Sequence, residues 1–144
     1  MGERVLLVGE SNPYGADPRL ALYPSPPGCA GARLCGILLM TGREYLQTFD
    51  RTNLLEGSRW SAPWARESAN ALSVGNRRRY RVLLGARVAA AHGVPFAPYT
   101  FRGPCGHWLI LPHPSGRSRL WCEPGAAERA RRLVLALVEE ARGA

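Results

Sequence analysis

Val5-Leu6-Leu7-Val8-Gly9-Glu10-Ser11-Asn12-Pro13-Tyr14-Gly15 is the stretch that decides the fold. Val5 to Val8 form a short apolar run ended by a glycine, the pattern of a strand buried on both faces in a parallel sheet. From Asn12 to Gly28 the chain is so rich in glycine and proline that it reads as loop. The strand-then-turn signature returns in Tyr80-Arg81-Val82-Leu83-Leu84-Gly85, and again in Trp108-Leu109-Ile110-Leu111 running into Pro112-His113. Elsewhere the pattern predicts helices over 30–40, 43–49, 64–72 and 86–92, and a strand over 51–55. A closing amphipathic helix is predicted over 126–142, with Leu133, Leu137 and Ala141 on one face. Strands alternating with helices imply an α/β fold: a three-layer α/β/α sandwich around a small, mostly parallel sheet of about four strands. Residues 1–144 are expected to form one domain, without internal repeat or linker.

Composition narrows the partner. The chain is 46% apolar and carries a formal net charge of +8, and its 19 basic residues are all arginine. A surplus of fixed, planar, bidentate cations suits a polyanion such as DNA, although a basic surface kept soluble by repulsion has the same composition. No apolar run approaches the roughly 18 residues a bilayer span needs, so no membrane partner is expected. Met1 leads directly into a strand-like segment with no secretory signal, so a cytoplasmic location and reduced thiols are expected.

In a parallel sheet, chemistry collects beyond the carboxyl ends of the strands. Here those ends carry the loop from Gly9 to Gly15, then Asn53, Gly85, and the loop His113-Pro114-Ser115-Gly116-Arg117-Ser118-Arg119. The first loop lacks GxGxxG spacing, and a chain without lysine has no Walker loop, so nucleotide-hydrolase readings are disfavoured. In the second, a neutral imidazole can donate to developing negative charge. The serines, the glycine and the arginines beside it can hold phosphates.

Taken together, the two loops resemble the paired motifs of the uracil-DNA glycosylase superfamily. Its branches carry GQDPYH, GINPG or GEAPG in the first loop and HPSPLS or NPSGLSR in the second. Gly9-Glu10-Ser11-Asn12-Pro13-Tyr14 shares features of the first set, and His113 to Arg119 matches the second at nearly every position. The resemblance spans nearly the whole chain and implies a DNA glycosylase; with no lysine to form a Schiff base, a monofunctional one is expected. Such an enzyme rotates an altered base out of the duplex and hydrolyses its N-glycosidic bond. It further implies that Asn12 positions the attacking water, with Glu10 a second candidate, and that His113 stabilises the departing base anion. Tyr14 would lie beside C5 of the base, Tyr23 would stack on it, and Asn53 would read its edge. Ser115, Gly116, Ser118 and Arg119 would hold phosphates. Arg117 stands where the family has the leucine that fills the vacated space, with Leu120 and Trp121 near enough to substitute.

Several departures keep the substrate open. Gly15 replaces a histidine and Asn12 an aspartate of the GQDPYH branch, and an asparagine orients water but cannot take its proton. Uracil is one expected base and a hypermodified cytosine of phage DNA, with an antiviral role, another. A non-catalytic module that grips flipped bases or abasic DNA is the reading from a different class. A monomer is expected, without cofactor. Cys29, Cys35, Cys105 and Cys122 lack the close pairing of zinc or iron–sulfur ligands and are expected to be buried thiols, an iron–sulfur cluster or zinc on all four being the alternative. Arg77-Arg78-Arg79, with Arg81 beyond, reads either as a DNA contact or as a solvated run.

Overall fold

The computed structural model describes residues 2–12, 17–57, 59–115 and 118–144, with Asn12 described in its backbone. In chain order the elements are β1 (Val5–Asn12), α1 (Ala30–Leu38), α2 (Gly42–Thr48), β2 (Phe49–Glu56), α3 (Ala62–Ser73), β3 (Arg81–Leu84), α4 (Ala86–Ala91), β4 (Phe101–Arg102), β5 (Trp108–Leu111) and α5 (Ala126–Arg142). The sheet has five strands in the order β2-β1-β3-β5-β4. The first four run parallel, and β4 pairs antiparallel with β5. The expected α/β/α sandwich is present, with one short edge strand more than the sequence led us to expect.

Strand alternation sorts the apolar residues into two cores. On one face Val5, Leu7, Phe49, Val82, Leu84, Leu109 and Leu111 pack with residues of α1, α2 and α5. On the other, Leu6, Val8, Leu54, Leu83, Trp108 and Ile110 pack with α3 and α4. β3 and β5 are buried along their whole length, which is why they read as unbroken apolar runs. Local chemistry sets the helix starts. Ser61 caps α3 with Pro63 in its first turn, and Thr41 with Glu44 forms a reciprocal capping box on α2. In α5 the buried stripe is Ala126, Ala130, Val134, Leu137, Val138 and Ala141, with Leu133 at its margin. Among the described residues, no helix is long and apolar enough to cross a membrane.

Candidate functional site

β1 and β3 are neighbours, but the chain leaves β1 toward β2 and leaves β3 toward β5. In sheets of this kind such a reversal marks a crevice beyond the carboxyl ends, where ligands bind. Gly85 ends β3 there, its amide donating to the Leu111 carbonyl at 2.8 Å. Its φ of +103° and ψ of 167° are closed to residues with a side chain. A methyl group at this position would also sit 3.1 Å from His113 Cβ and 3.5 Å from Glu10 Oε2. The bare backbone of Gly85 therefore lets a carboxylate from β1 and a histidine from beyond β5 close in together on the space a side chain would fill.

Each of these two groups is held by a neighbour. Glu10 Oε1 lies 3.7 Å from Arg87 Nη1, in the first turn of α4, and the Glu10 side chain is 23% exposed. The Arg87 guanidinium in turn lies over the Trp60 ring, 5.4 Å from its centroid. The His113 carbonyl accepts a hydrogen bond from Trp121 Nε1 at 2.8 Å. Burial holds the His113 imidazole below its ordinary pKa; Glu10 opposes that shift and Arg87 reinforces it. At neutral pH His113 is thus an uncharged imidazole, able to donate from one nitrogen.

A second wall stands on the other face of β1. Gly9 pairs in register with Asn53 of β2, and a methyl at Gly9 would lie 2.4 Å from Asn53 Oδ1 and 3.1 Å from Leu22 Cδ2. Among the described residues, the buried Asn53 Oδ1 has no hydrogen-bond partner. Over it passes the segment Ala21-Leu22-Tyr23. Leu22 has a left-handed backbone, φ 51°, and its carbonyl accepts from the buried Tyr45 hydroxyl at 2.8 Å. Arg51 Nη1 donates to the Ala21 carbonyl at 2.7 Å, and its guanidinium stands 5.6 Å from the Tyr23 ring centroid. Tyr23 is 37% exposed, so its ring remains open to a stacking partner.

Glu10 and His113 thus face the α3–α4 side of the crevice, and Asn53 and Tyr23 the α1–α5 side. The two halves meet across the end of β1. Asn12 closes β1 opposite Glu56. Tyr14, Gly116 and Arg117 lie outside the described residues, as does the Asn12 side chain.

The described part of the second loop is a turn in which Ser118 N donates to the Ser115 carbonyl at 3.3 Å. Both serines line a groove of about 450 Å³ with Arg33, Ile37, Trp121 and Cys122. Arg119 is exposed beside it. Trp121 does not project as a substitute for the missing apolar wedge. It packs against the core and is tied to the His113 carbonyl.

Other sequence expectations are corrected. Arg81 is neither solvated nor available to a partner, because it begins β3 and is wholly buried. Arg79 pairs with Asp50, leaving Arg77 and Arg78 as the exposed members of the run. Of the cysteines only Cys35 is buried. Cys29 caps α1 and donates to the Tyr23 carbonyl at 3.3 Å, while Cys105 and Cys122 are exposed. Among the described residues, no group of three or more His, Cys, Asp or Glu is arranged to hold a metal ion.

Sequence reading missed Arg87, Arg51, Arg33 and the structural use of Trp121. Of these, only Arg87 carried a local signal, standing in the first turn of a helix that starts at a strand-ending glycine. Compared with known proteins, the chain matches no family model, no curated protein and no solved structure.

Proposed function

We propose that this chain is a monofunctional DNA glycosylase, similar to the uracil-DNA glycosylase superfamily, that everts an altered base and hydrolyses its N-glycosidic bond to leave an abasic site. The observation that carries the reading is the convergence of Glu10 and His113 on the space beside Gly85 that a side chain would fill, at the sheet's switch point. Cleavage of a nucleoside leaves an oxocarbenium-like sugar and an anionic base. A preplaced neutral His113 donates to that anion, a contribution on the order of 3 kcal/mol for one such donor. The Glu10 carboxylate takes the proton of the attacking water, which the amide of Asn12 can orient but not deprotonate. Asn53, with an unfilled amide oxygen, reads the base edge, and Tyr23 stacks on its face. Ser115, Ser118, Arg119 and Arg33 take the flanking phosphates. With no lysine in the chain, no side-chain Schiff base forms and the product stays an abasic site.

The test uses duplexes each carrying uracil, hypoxanthine or a hypermodified cytosine, incubated with the protein and then cleaved with alkali at abasic sites. Breaks are expected with at least one base. They should fall on the order of 10²–10³-fold in His113→Ala, and clearly in Glu10→Gln and Asn12→Ala. Tight binding without breaks on any duplex overturns the enzymatic reading in favour of a base-gripping module. Neither binding nor breaks overturns both.

A further inference from the structure

A groove between the start of α3 and the first turns of α4 is left unused by the chemistry proposed above. Its volume is about 430 Å³, and its walls include Trp60, Ala62, Pro63, Arg66, Arg87 and Ala90. α3 follows β2 and α4 follows β3, so the groove lies at the carboxyl ends of the strands, the end that also carries Glu10 and His113. Arg87 belongs to both places: it lines the groove, and its Nη1 lies 3.7 Å from Glu10 Oε1. That distance is too long for a hydrogen bond, and the Arg87 side chain is 57% exposed, so an anion in the groove reaches its donors. Arg66 is exposed and, among the described residues, forms no ion pair.

Two reachable guanidinium groups suit a phosphate. Trp60 asks for something more. It is half-buried and packed against the second core, which fixes its indole in the groove wall beside the Arg87 guanidinium. Indole rings and guanidinium planes stack on unpaired bases whatever their sequence. A free phosphate leaves the indole and the alanines unused, whereas a nucleotide engages the arginines with its phosphate and the apolar wall with its base. The net charge of +8 favours a strand that brings many phosphates.

An observation across the crevice bears on the state of that strand. Proteins that open a duplex commonly push an apolar wedge into the gap. Here the sequence offers Arg117, and of its two apolar neighbours Trp121 is tied to the His113 carbonyl and packed against the core. We infer that the Trp60 groove takes the base of the nucleotide next to the everted one, with its phosphate between Arg66 and Arg87, and that the preferred substrate is therefore single-stranded DNA. The inference rests on the glycosylase reading for what occupies the crevice. A base held against Trp60 has left the helical stack; in a duplex this adds a second unstacking to the first, and in a single strand it costs little.

The test measures, by fluorescence anisotropy, the binding of a labelled DNA strand carrying one tetrahydrofuran abasic analogue between thymines, alone or annealed to its complement. The single strand is expected to bind about tenfold more tightly than the duplex. Replacing one flanking thymidine by a second abasic analogue should weaken single-strand binding about tenfold on one side of the site only, the loss of one base stack. That difference should vanish in Trp60→Leu. Arg66→Gln, an exposed change, should weaken binding and flatten its dependence on salt. The base-stripped strands probe the unaltered protein, so the test does not depend on Trp60→Leu folding. Equal affinity for strand and duplex, or indifference to the neighbouring base on both sides, overturns the inference, as does absence of binding to every probe. The glycosylase reading is judged apart from it, by the alkali-revealed breaks at an altered base.

Discussion

Glu10 and Arg87 act on His113 with opposite signs, and that makes the site testable one residue at a time. Removing the carboxylate removes the influence that favours the imidazolium, so Glu10→Gln should lower the His113 pKa further. Arg87→Gln removes a repelling cation and frees Glu10, so the pKa should rise. Imidazole proton shifts followed against pH read both changes, and equal titration in the two variants would break the proposed contact. Gly85→Ala forces a side chain into a left-handed backbone and toward His113 Cβ, at a cost on the order of 1–3 kcal/mol in urea unfolding. Glu10 and His113 were legible in the sequence because each stands just past an apolar run, where topology alone places chemistry; Asn53, expected at a strand end, lies inside β2 between Thr52 and Leu54 and was marked chiefly by the family resemblance. Arg87 and Arg51 were not, because their partners are remote in sequence and an arginine's reach leaves no periodic trace. Arg81 misled for a related reason. It follows three arginines and shares their letter, but it opens a strand buried on both faces, and that takes it into the interior.

Among the elements, the segment over Gly9 is the least regular and the most constrained. Leu22 holds a backbone conformation that costs roughly 1 kcal/mol for a residue with a side chain. The Tyr45 hydroxyl, fully buried on α2, fixes its carbonyl. Tyr45→Phe should therefore destabilise the protein by about 1–3 kcal/mol, because a buried carbonyl loses its donor. It should also increase hydrogen exchange at Leu22 and Tyr23, a change that a simple loss of global stability would spread evenly. The sequence showed this region only as Gly/Pro-rich loop; the letters do not say that a tyrosine two elements later pins it. The major elements were legible from apolar runs and their glycine stops. The start of α2 at Thr41–Glu44 was a readable capping pattern that an apolar periodicity search passes over. β4, two exposed residues long, exists only through pairing with β5, and no local pattern marks it.

For the molecule as a whole, His92 and His113 contribute to the response to acid. His92 has a folded pKa of about 4, depressed by burial, against an ordinary value near 6.5. Below pH 6.5 the unfolded chain takes up a proton that the folded chain refuses, so stability falls with pH until both forms are protonated near pH 4. The loss from His92 is on the order of 3 kcal/mol, and His113 adds to it in the same direction. Urea midpoints across pH 4–7 should show this slope, and His92→Gln should flatten it. A different consequence follows from the shortness of β3 and β5, four buried residues each, with Gly85 and His113 just past their carboxyl ends. Such strands have no slack. One extra residue within Trp108–Leu111 would exchange the cores that Leu109 and Ile110 fill and rotate His113 out of the crevice at the same stroke. Lengthening the chain should thus be harmless in the exposed turn near Gly75 and ruinous in the sheet, so viable insertions map the rigid frame without any knowledge of the substrate.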